Sequence, residues 1–275
     1  MAFRVFDSAQ DVIVALAEEF LNYSEQGEAI HISLSGGSTP SRLFRYLAST
    51  EYATGIQWSN LHFWWGDERC VAISDTESNY GEAKALLFDH IQIPVKNIHR
   101  IRGELSPAEA AQVFSDDMAD VLLRNEGSTV EKPTAERPIT DRPVYDWVLL
   151  GVGEDGHTAS LFPGQTDMQA TDDCVIASHP ETKQLRISIT APVIANAKRV
   201  SYLVLGVSKA PIVEAIYMEK YESNSTSKFY PAAQICSALG ATEWYLDSAA
   251  AERINEKVVN ASVVNSRMVK ATKEK

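Results

Sequence analysis

The residues with the strongest chemical signal lie between Tyr145 and Gly164, where YDWVLLGVGEDGHTASLFPG runs an apolar stretch, Trp147 to Leu150, into glycines at 151, 153 and 156. Glu154 and Asp155 follow the first two glycines, and His157 follows the third. A buried strand that ends in a tight turn carrying an imidazole is a plausible place for a general base, because histidine titrates near neutrality. In open α/β sheets, ligands sit beyond the carboxyl ends of the strands, which is where this turn falls. His157 is therefore a candidate base for taking a proton from water or a hydroxyl. Asp155 is a candidate for fixing its tautomer or shaping the turn. The bland alternative is a capping aspartate beside a structural histidine.

Two further loops repeat the arrangement of strand, turn and polar group. LSGGSTP, Leu34 to Pro40, places Gly36 and Gly37 ahead of a helix start, with Ser38 and Thr39 as hydroxyl donors. Backbone that lacks Cβ atoms, followed by a helix N-terminus with unpaired N–H groups, makes a phosphate cradle. It is neither a Walker A loop, since no GKS or GKT follows, nor a GxGxxG turn. The bland alternative is an ordinary strand-to-helix turn with Thr39 as N-cap. WGDERCV, Trp65 to Val71, sets Asp67, Glu68 and Arg69 after an apolar strand. Arg69 offers a planar fork for phosphate or carboxylate, and Asp67 a group to orient Arg69 or a substrate hydroxyl. Here the alternative is a solvated charge run. Lys209, after Leu205-Gly206-Val207, and Arg186, before Ile187-Ser188-Ile189-Thr190, add cations at strand ends. His31, His62, His90, His99 and His179 show no partner pattern and are read as structural.

The elements needed to hold these loops alternate along the chain. Residues 8–26 read as an amphipathic helix capped by Ser8, with Asp11 as in a capping box and Val12, Ile13, Leu16, Phe20 and Leu21 as its apolar stripe. A strand at 29–34 leads to a helix opened by Thr39-Pro40, with Pro40 at its first position. Leu61 to Trp65 reads as a strand, Asn79 and Glu82 as caps of a helix through His90, and Ser106-Pro107 as a helix start running to about Arg124. Residues 125–143 are polar, proline-bearing and aperiodic, and are expected to form an exposed loop. Strands follow at 145–150, Arg186–Thr190 and Val200–Leu205, with a helix from Ala191 between the last two. A helix from Ser208 to Tyr221 and a short strand at Trp244-Tyr245-Leu246 complete the pattern, and residues 265–275 are polar and expected to fray. This βαβ rhythm gives an α/β fold, a mainly parallel sheet with helices on both faces, as a single domain over 1–275.

A net charge of −12 argues against nucleic acid or an anionic membrane as a partner, while leaving room for a small anionic substrate. Cys70, Cys174 and Cys236 are scattered, without CxxC spacing, and neither HExxH nor a GxSxG nucleophile elbow occurs. No metal site or disulfide framework is expected. The N-terminal MAFRVFDSAQ lacks a secretory pattern and no apolar run approaches the ~20 residues of a membrane span, so a reducing, cytoplasmic setting is the expectation. The sequence carries no feature that sets an oligomeric state.

Taken together, SGGSTP (35–40), GDER (66–69), SNYG (78–81), GEDGHTASLFPG (153–164), RISIT (186–190) and GVSKA (206–210) resemble, in order and spacing, the 6-phosphogluconolactonase family. The resemblance implies a Rossmann-like fold, no cofactor or metal, and hydrolysis of 6-phospho-D-glucono-1,5-lactone to 6-phosphogluconate, the second step of the oxidative pentose phosphate pathway. His157 matches the family's histidine that activates water, and Asp155 the acid two residues before it. Arg69, Lys209 and Arg186 match basic positions near the substrate phosphate or the oxyanion. Gly36, Gly37, Ser38 and Thr39 match the sugar-phosphate turn. The chain departs from the family at 125–143 and at HPETKQL before Arg186, where a proline-rich run is expected. Two other functions fit the same fold. Glucosamine-6-phosphate deaminases tend to carry tyrosine where this chain has Arg69, and an IAFNEPG-like string where it has TASLFPG. A non-catalytic sugar-phosphate sensor would keep the phosphate turn and lose the base.

Overall fold

The computed structural model describes residues 1–123, 142–221 and 230–254. Strand β1 (Ala2–Phe6) is followed by α1 (Ala9–Ser24), β2 (Ile30–Leu34), α2 (Ser38–Leu47), α3 (Thr50–Gly55), β3 (Leu61–Trp65), β4 (Asp67–Arg69), α4 (Asn79–Leu86) and α5 (Pro107–Met118). The second half supplies β5 (Trp147–Leu150), β6 (Cys174–Ser178), β7 (Leu185–Ile189), α6 (Ala191–Ala195), β8 (Arg199–Val204), α7 (Ala210–Tyr221), α8 (Pro231–Gln234) and β9 (Ala241–Asp247).

Six strands form one parallel sheet in the order β1-β9-β8-β5-β2-β3. Every residue of β2 and β5 is buried, the signature of strands covered on both faces. The apolar stripe of α1 lies against this sheet, with Val12, Ile13, Leu16 and Phe20 all buried, and Ser8 caps the helix by accepting the Asp11 N–H while donating to its carboxylate. From β2 the chain moves outward to β3, whereas from β5 it moves the other way to β8. The strand order therefore reverses between β2 and β5, and the turns after those two strands flank the crevice where such folds bind ligands.

A separate three-stranded antiparallel sheet, β4-β7-β6, stands at the carboxyl edge. The sequence pattern did not separate it from the main sheet, because three to five residues of alternating character look alike in either setting. Strands β1 and β6 also went unforeseen, and β9 is longer than the three residues expected.

Several boundaries differ from expectation for local reasons. Helix α2 begins at Ser38 rather than at Pro40, because Gly37 adopts φ +103° and ends the turn as N-cap, a role Thr39 does not take. Pro40 is still accommodated, since first-turn N–H groups have no helical partner. Helix α4 is capped by Ser78, whose Oγ accepts the Gly81 N–H, rather than by Asn79, and it ends at Leu86 instead of His90. Helix α7 starts at Ala210, after a 3₁₀ turn at Val207–Lys209, not at Ser208. Most of the stretch read as an exposed loop, 125–143, lies outside the described residues, as does 265–275. Its last two residues, Arg142 and Pro143, are buried, with Asn196 Nδ2 donating to both carbonyls. Among the described residues no helix is long and apolar enough to cross a membrane.

Candidate active site

The turns after β2, β5 and β8, together with β4 and β7, enclose a cleft of about 260 Å³ at the carboxyl end of the sheet. Gly36, Gly37, Ser38, Thr39, Asp67, Arg69, His157, Arg186 and Lys209 all line it. Asp155 stands behind His157. Residues separated by up to 173 positions in the chain are thus brought to one opening.

His157 Nδ1 lies 2.6 Å from Asp155 Oδ1, which also accepts the His157 backbone N–H at 3.1 Å. A carboxylate at Nδ1 favours the tautomer protonated there and leaves Nε2 as the basic nitrogen. Burial works to raise the Asp155 pKa, but the hydrogen bond and charge of His157 outweigh it and hold the carboxyl below its usual range. The pair depends on Gly153, where a Cβ would stand 2.1 Å from His157 Nδ1 and 2.6 Å from Asp155 Oδ1. Thr158 Oγ1 donates to the Gly151 carbonyl, and Ala159 takes φ +47°, an uncommon conformation for a non-glycine residue that lines the cleft.

The small sheet organises the cations. In its register Arg69 pairs with Arg186 and Asp67 with Ser188, so the two-residue alternation puts these four side chains on one face. Like charges directly opposite each other disfavour strand pairing. Both guanidiniums nonetheless line the cleft, and among the described residues the buried Nε of each has no hydrogen-bond partner. Burial lowers the Arg186 pKa and the Arg69 charge adds to that, while Asp67 pulls the other way. Among the described residues neither Arg186 nor Lys209 has a carboxylate within 4.0 Å. A cleft walled by cations without counter-ions, next to the glycine-rich N-terminus of α2, suits an anion.

Glu68 takes the opposite face. Its carboxylate accepts the N–H groups of Arg69, Asn79 and Tyr80 and the Ser78 hydroxyl, holding the start of α4 against β4. Burial raises its pKa despite these donors. The same segment meets Arg69, whose Nη1 donates to the Glu77 carbonyl. Asp67 and Glu68 are 6 % and 2 % exposed, which rules out the solvated charge run considered for this loop.

Several residues here were not singled out from sequence. Asn79 lines the cleft, donates to the Asp67 carbonyl, and lies so near Gly36 that a Cβ there would fall 1.8 Å from its Oδ1. Its signal was its place in SNYG. Phe162 packs beside the His157 and His179 rings, with centroids 4.9 and 5.3 Å away, and Arg186 stands 5.9 Å from its centre. Tyr230 fills the space over Gly156. Nothing in the local sequence marks that contact.

The remaining histidines do have partners, contrary to the expectation from spacing. His31 and His62 are register partners on β2 and β3, and His62 Nδ1 lies 3.1 Å from His99 Nε2. Trp64 Nε1 donates to His31 Nδ1 and its ring stacks on His99. The cluster lies at the amino end of the sheet, far from the cleft.

A parallel α/β sheet with a cationic, histidine-bearing cleft at its switch point defines a class: proteins that handle small anionic metabolites on a Rossmann-like scaffold. Residues 4–244 match the model of the glucosamine-6-phosphate isomerase/6-phosphogluconolactonase family, and the chain belongs to that family. It is 49 % identical over 250 residues to a 6-phosphogluconolactonase of Haemophilus influenzae, covering 91 % of this chain and 98 % of that one. The crystal structure of the devB protein superposes with a TM-score of 0.83 at 55 % identity, over 92 % of this chain and 99 % of that one. A 6-phosphogluconolactonase from Trypanosoma brucei gives 0.74 at 26 % identity, over 92 % and 98 % of the two chains.

Proposed function

We propose that the protein hydrolyses 6-phospho-D-glucono-1,5-lactone to 6-phosphogluconate, with His157 as general base. The observation that carries this reading is the His157–Asp155 pair at 2.6 Å, on the rim of a cleft whose other walls bear Arg69, Arg186 and Lys209. His157 Nε2 takes a proton from water, and the oxygen attacks the lactone carbonyl to give a tetrahedral oxyanion. The bond from C1 to the ring oxygen then breaks. The ring oxygen leaves with the proton from His157 as the C5 hydroxyl, and the carboxylic acid formed at C1 releases its remaining proton to solvent to give the carboxylate. A cation stabilises the oxyanion, and the chemistry calls for neither a covalent nucleophile nor a cofactor.

The phosphate supplies binding energy away from the reacting carbonyl. The N–H groups and hydroxyls of Gly36 to Thr39 at the start of α2, with the free cations, are its binding surface in this reading. Asp67 serves as an acceptor for a sugar hydroxyl. The relatives' lactonase activity, at 49 % identity over nearly the full length of both chains, supports the same assignment.

The test is hydrolysis of freshly generated lactone by purified protein, with chelator present and the spontaneous rate subtracted. Acceleration that survives chelator and disappears in His157→Ala supports the proposal. No acceleration, with ammonia released from glucosamine 6-phosphate instead, would replace it with the deaminase reading.

A further inference from the structure

Asp67 and Arg186 occupy the same face of the small sheet on neighbouring strands, diagonal to each other in the register. Such neighbours lie within reach of long side chains, and a buried carboxylate beside a guanidinium lacking a counter-ion ordinarily closes an ion pair. Here no such contact forms within 4.0 Å. The Asp67 carboxylate is held elsewhere. Ser160 Oγ donates to its Oδ2 at 2.6 Å, and Asn79 Nδ2 approaches its Oδ1 at 3.5 Å. Ser160 is itself fixed. It is 1 % exposed, its N–H donates to Ser188 Oγ at 3.3 Å, and it sits one residue after the strained Ala159 on the His157 loop.

We propose that Ser160 is a positioning residue that holds the Asp67 carboxylate off Arg186 and so leaves that guanidinium open to the anionic part of the ligand. The proposal rests on the anion-binding part of the reading above. Without the serine hydroxyl, the carboxylate turns toward Arg186 and neutralises it. Ser160 thereby also couples the loop that carries the base to the strand pair that carries the cations.

Calorimetric titration with inorganic phosphate tests this in the full chain, without depending on turnover. Ser160→Ala is expected to weaken phosphate binding about tenfold, the scale of one charge-assisted contact, and Ser160→Thr to keep it near the wild-type value. In an Arg186→Gln background, Ser160→Ala should add less than about a twofold loss, because the group being protected is gone. Asp67→Asn, which leaves Ser160 in place, should retain phosphate affinity, and combined with Ser160→Ala it should restore what that change removed. In hydrolysis, Ser160→Ala should raise KM for the phosphorylated lactone more than it lowers kcat, and by a larger factor than for unphosphorylated gluconolactone, which loses only the Asp67 contact to a sugar hydroxyl.

Unchanged phosphate binding in Ser160→Ala overturns the proposal. So do losses that add in full with Arg186→Gln, since they would mark a general structural role, and so does a wild-type protein that takes up no phosphate. A wild-type protein that shows the phosphate coupling yet leaves the lactone unhydrolysed would overturn the proposed function instead, with the Ser160 assignment standing.

Discussion

At the amino end of the sheet, Arg199 donates through Nε to Glu243, through Nη1 to Glu19 and through Nη2 to the Tyr245 hydroxyl, and its guanidinium lies over the Trp147 ring. His62 Nδ1 lies within hydrogen-bond distance of His99 Nε2, and His31 Nδ1 accepts the Trp64 indole N–H. At the carboxyl end, Arg69 and Arg186 face each other with unpartnered Nε atoms, and His157 has one ring nitrogen engaged by Asp155. Arginine and histidine occur at both ends, so residue type does not separate them. Pairing does. Where the fold satisfies its own cations, they hold the structure together. Where it leaves them facing an opening, and even sets like charges side by side, the proposed function makes the ligand their missing partner.

The largest effect that would break this contrast concerns the histidines. His157→Ala should lower lactone hydrolysis by about 10²–10⁴-fold, the usual contribution of a positioned base, with little change in thermal midpoint. His62→Ala, at the other end, should keep turnover within about twofold while lowering the midpoint. Steady-state rates and melting curves on the two variants decide it. Comparable loss of turnover in both would mean that the amino-end cluster serves the reaction too.

The arginines sharpen the same point with a smaller effect. Arg69→Ala should lower kcat/KM for the phosphorylated lactone about 10–100-fold, more than for gluconolactone, and leave stability unchanged or slightly raised as a like-charge contact is relieved. Arg199→Ala should do the reverse, leaving kcat/KM near wild type and costing roughly 2–3 kcal/mol in denaturant unfolding as Glu19 and Glu243 are left with only their longer contacts to Arg4. If Arg69→Ala proves as destabilising as Arg199→Ala, the open arginine is a structural one.

The carboxyl end was also the more legible from sequence. Its loops announce themselves through glycines at strand ends, and all ten candidate residues fall at or directly behind one cleft. The turns could be placed because each follows an apolar run, and the parallel order follows from the alternation of strands and helices. What escaped was non-local. The register that sets Arg69 opposite Arg186 belongs to a short antiparallel sheet, and the two arginines lie 117 positions apart in the chain. Ser160 and Asp67 meet across 93 positions, and the three histidines meet because β2 and β3 pair in a register that puts His31 beside His62. Local spacing carries no trace of such contacts.

The amino-end histidines make the smallest and most specific prediction. Burial, with the neighbouring His62 charge, depresses the His31 pKa from 6.5 to about 4, Lys198 adding to this and Asp146 opposing it. His99 is likewise brought to about 4 by burial and by His62 and His31, and His62 is lowered chiefly by burial. These rings are neutral when folded and take up protons near pH 6.5 when unfolded, so the unfolded state binds more protons between those limits. Stability therefore falls as the pH drops from about 6.5 toward 4. His31 by itself contributes on the order of 3 kcal/mol once the pH is below both of its values. The carboxylates held below their usual range, Asp155, Glu19 and Glu104, act in the same direction, but only below their ordinary values of 3.8 to 4.5. Above pH 4.5 these three drop out, while Glu68, whose pKa burial raises, takes up its proton earlier in the folded state and opposes the histidines. His99→Phe keeps an aromatic ring on Trp64, which His99 stacks against at 4.0 Å, and removes one titrating group. The slope of unfolding free energy against pH between 6.5 and 4.5 should become shallower in that variant. A slope unchanged by His99→Phe would place the acid-sensitive element outside the amino-end cluster and undo the division between the two ends of the sheet.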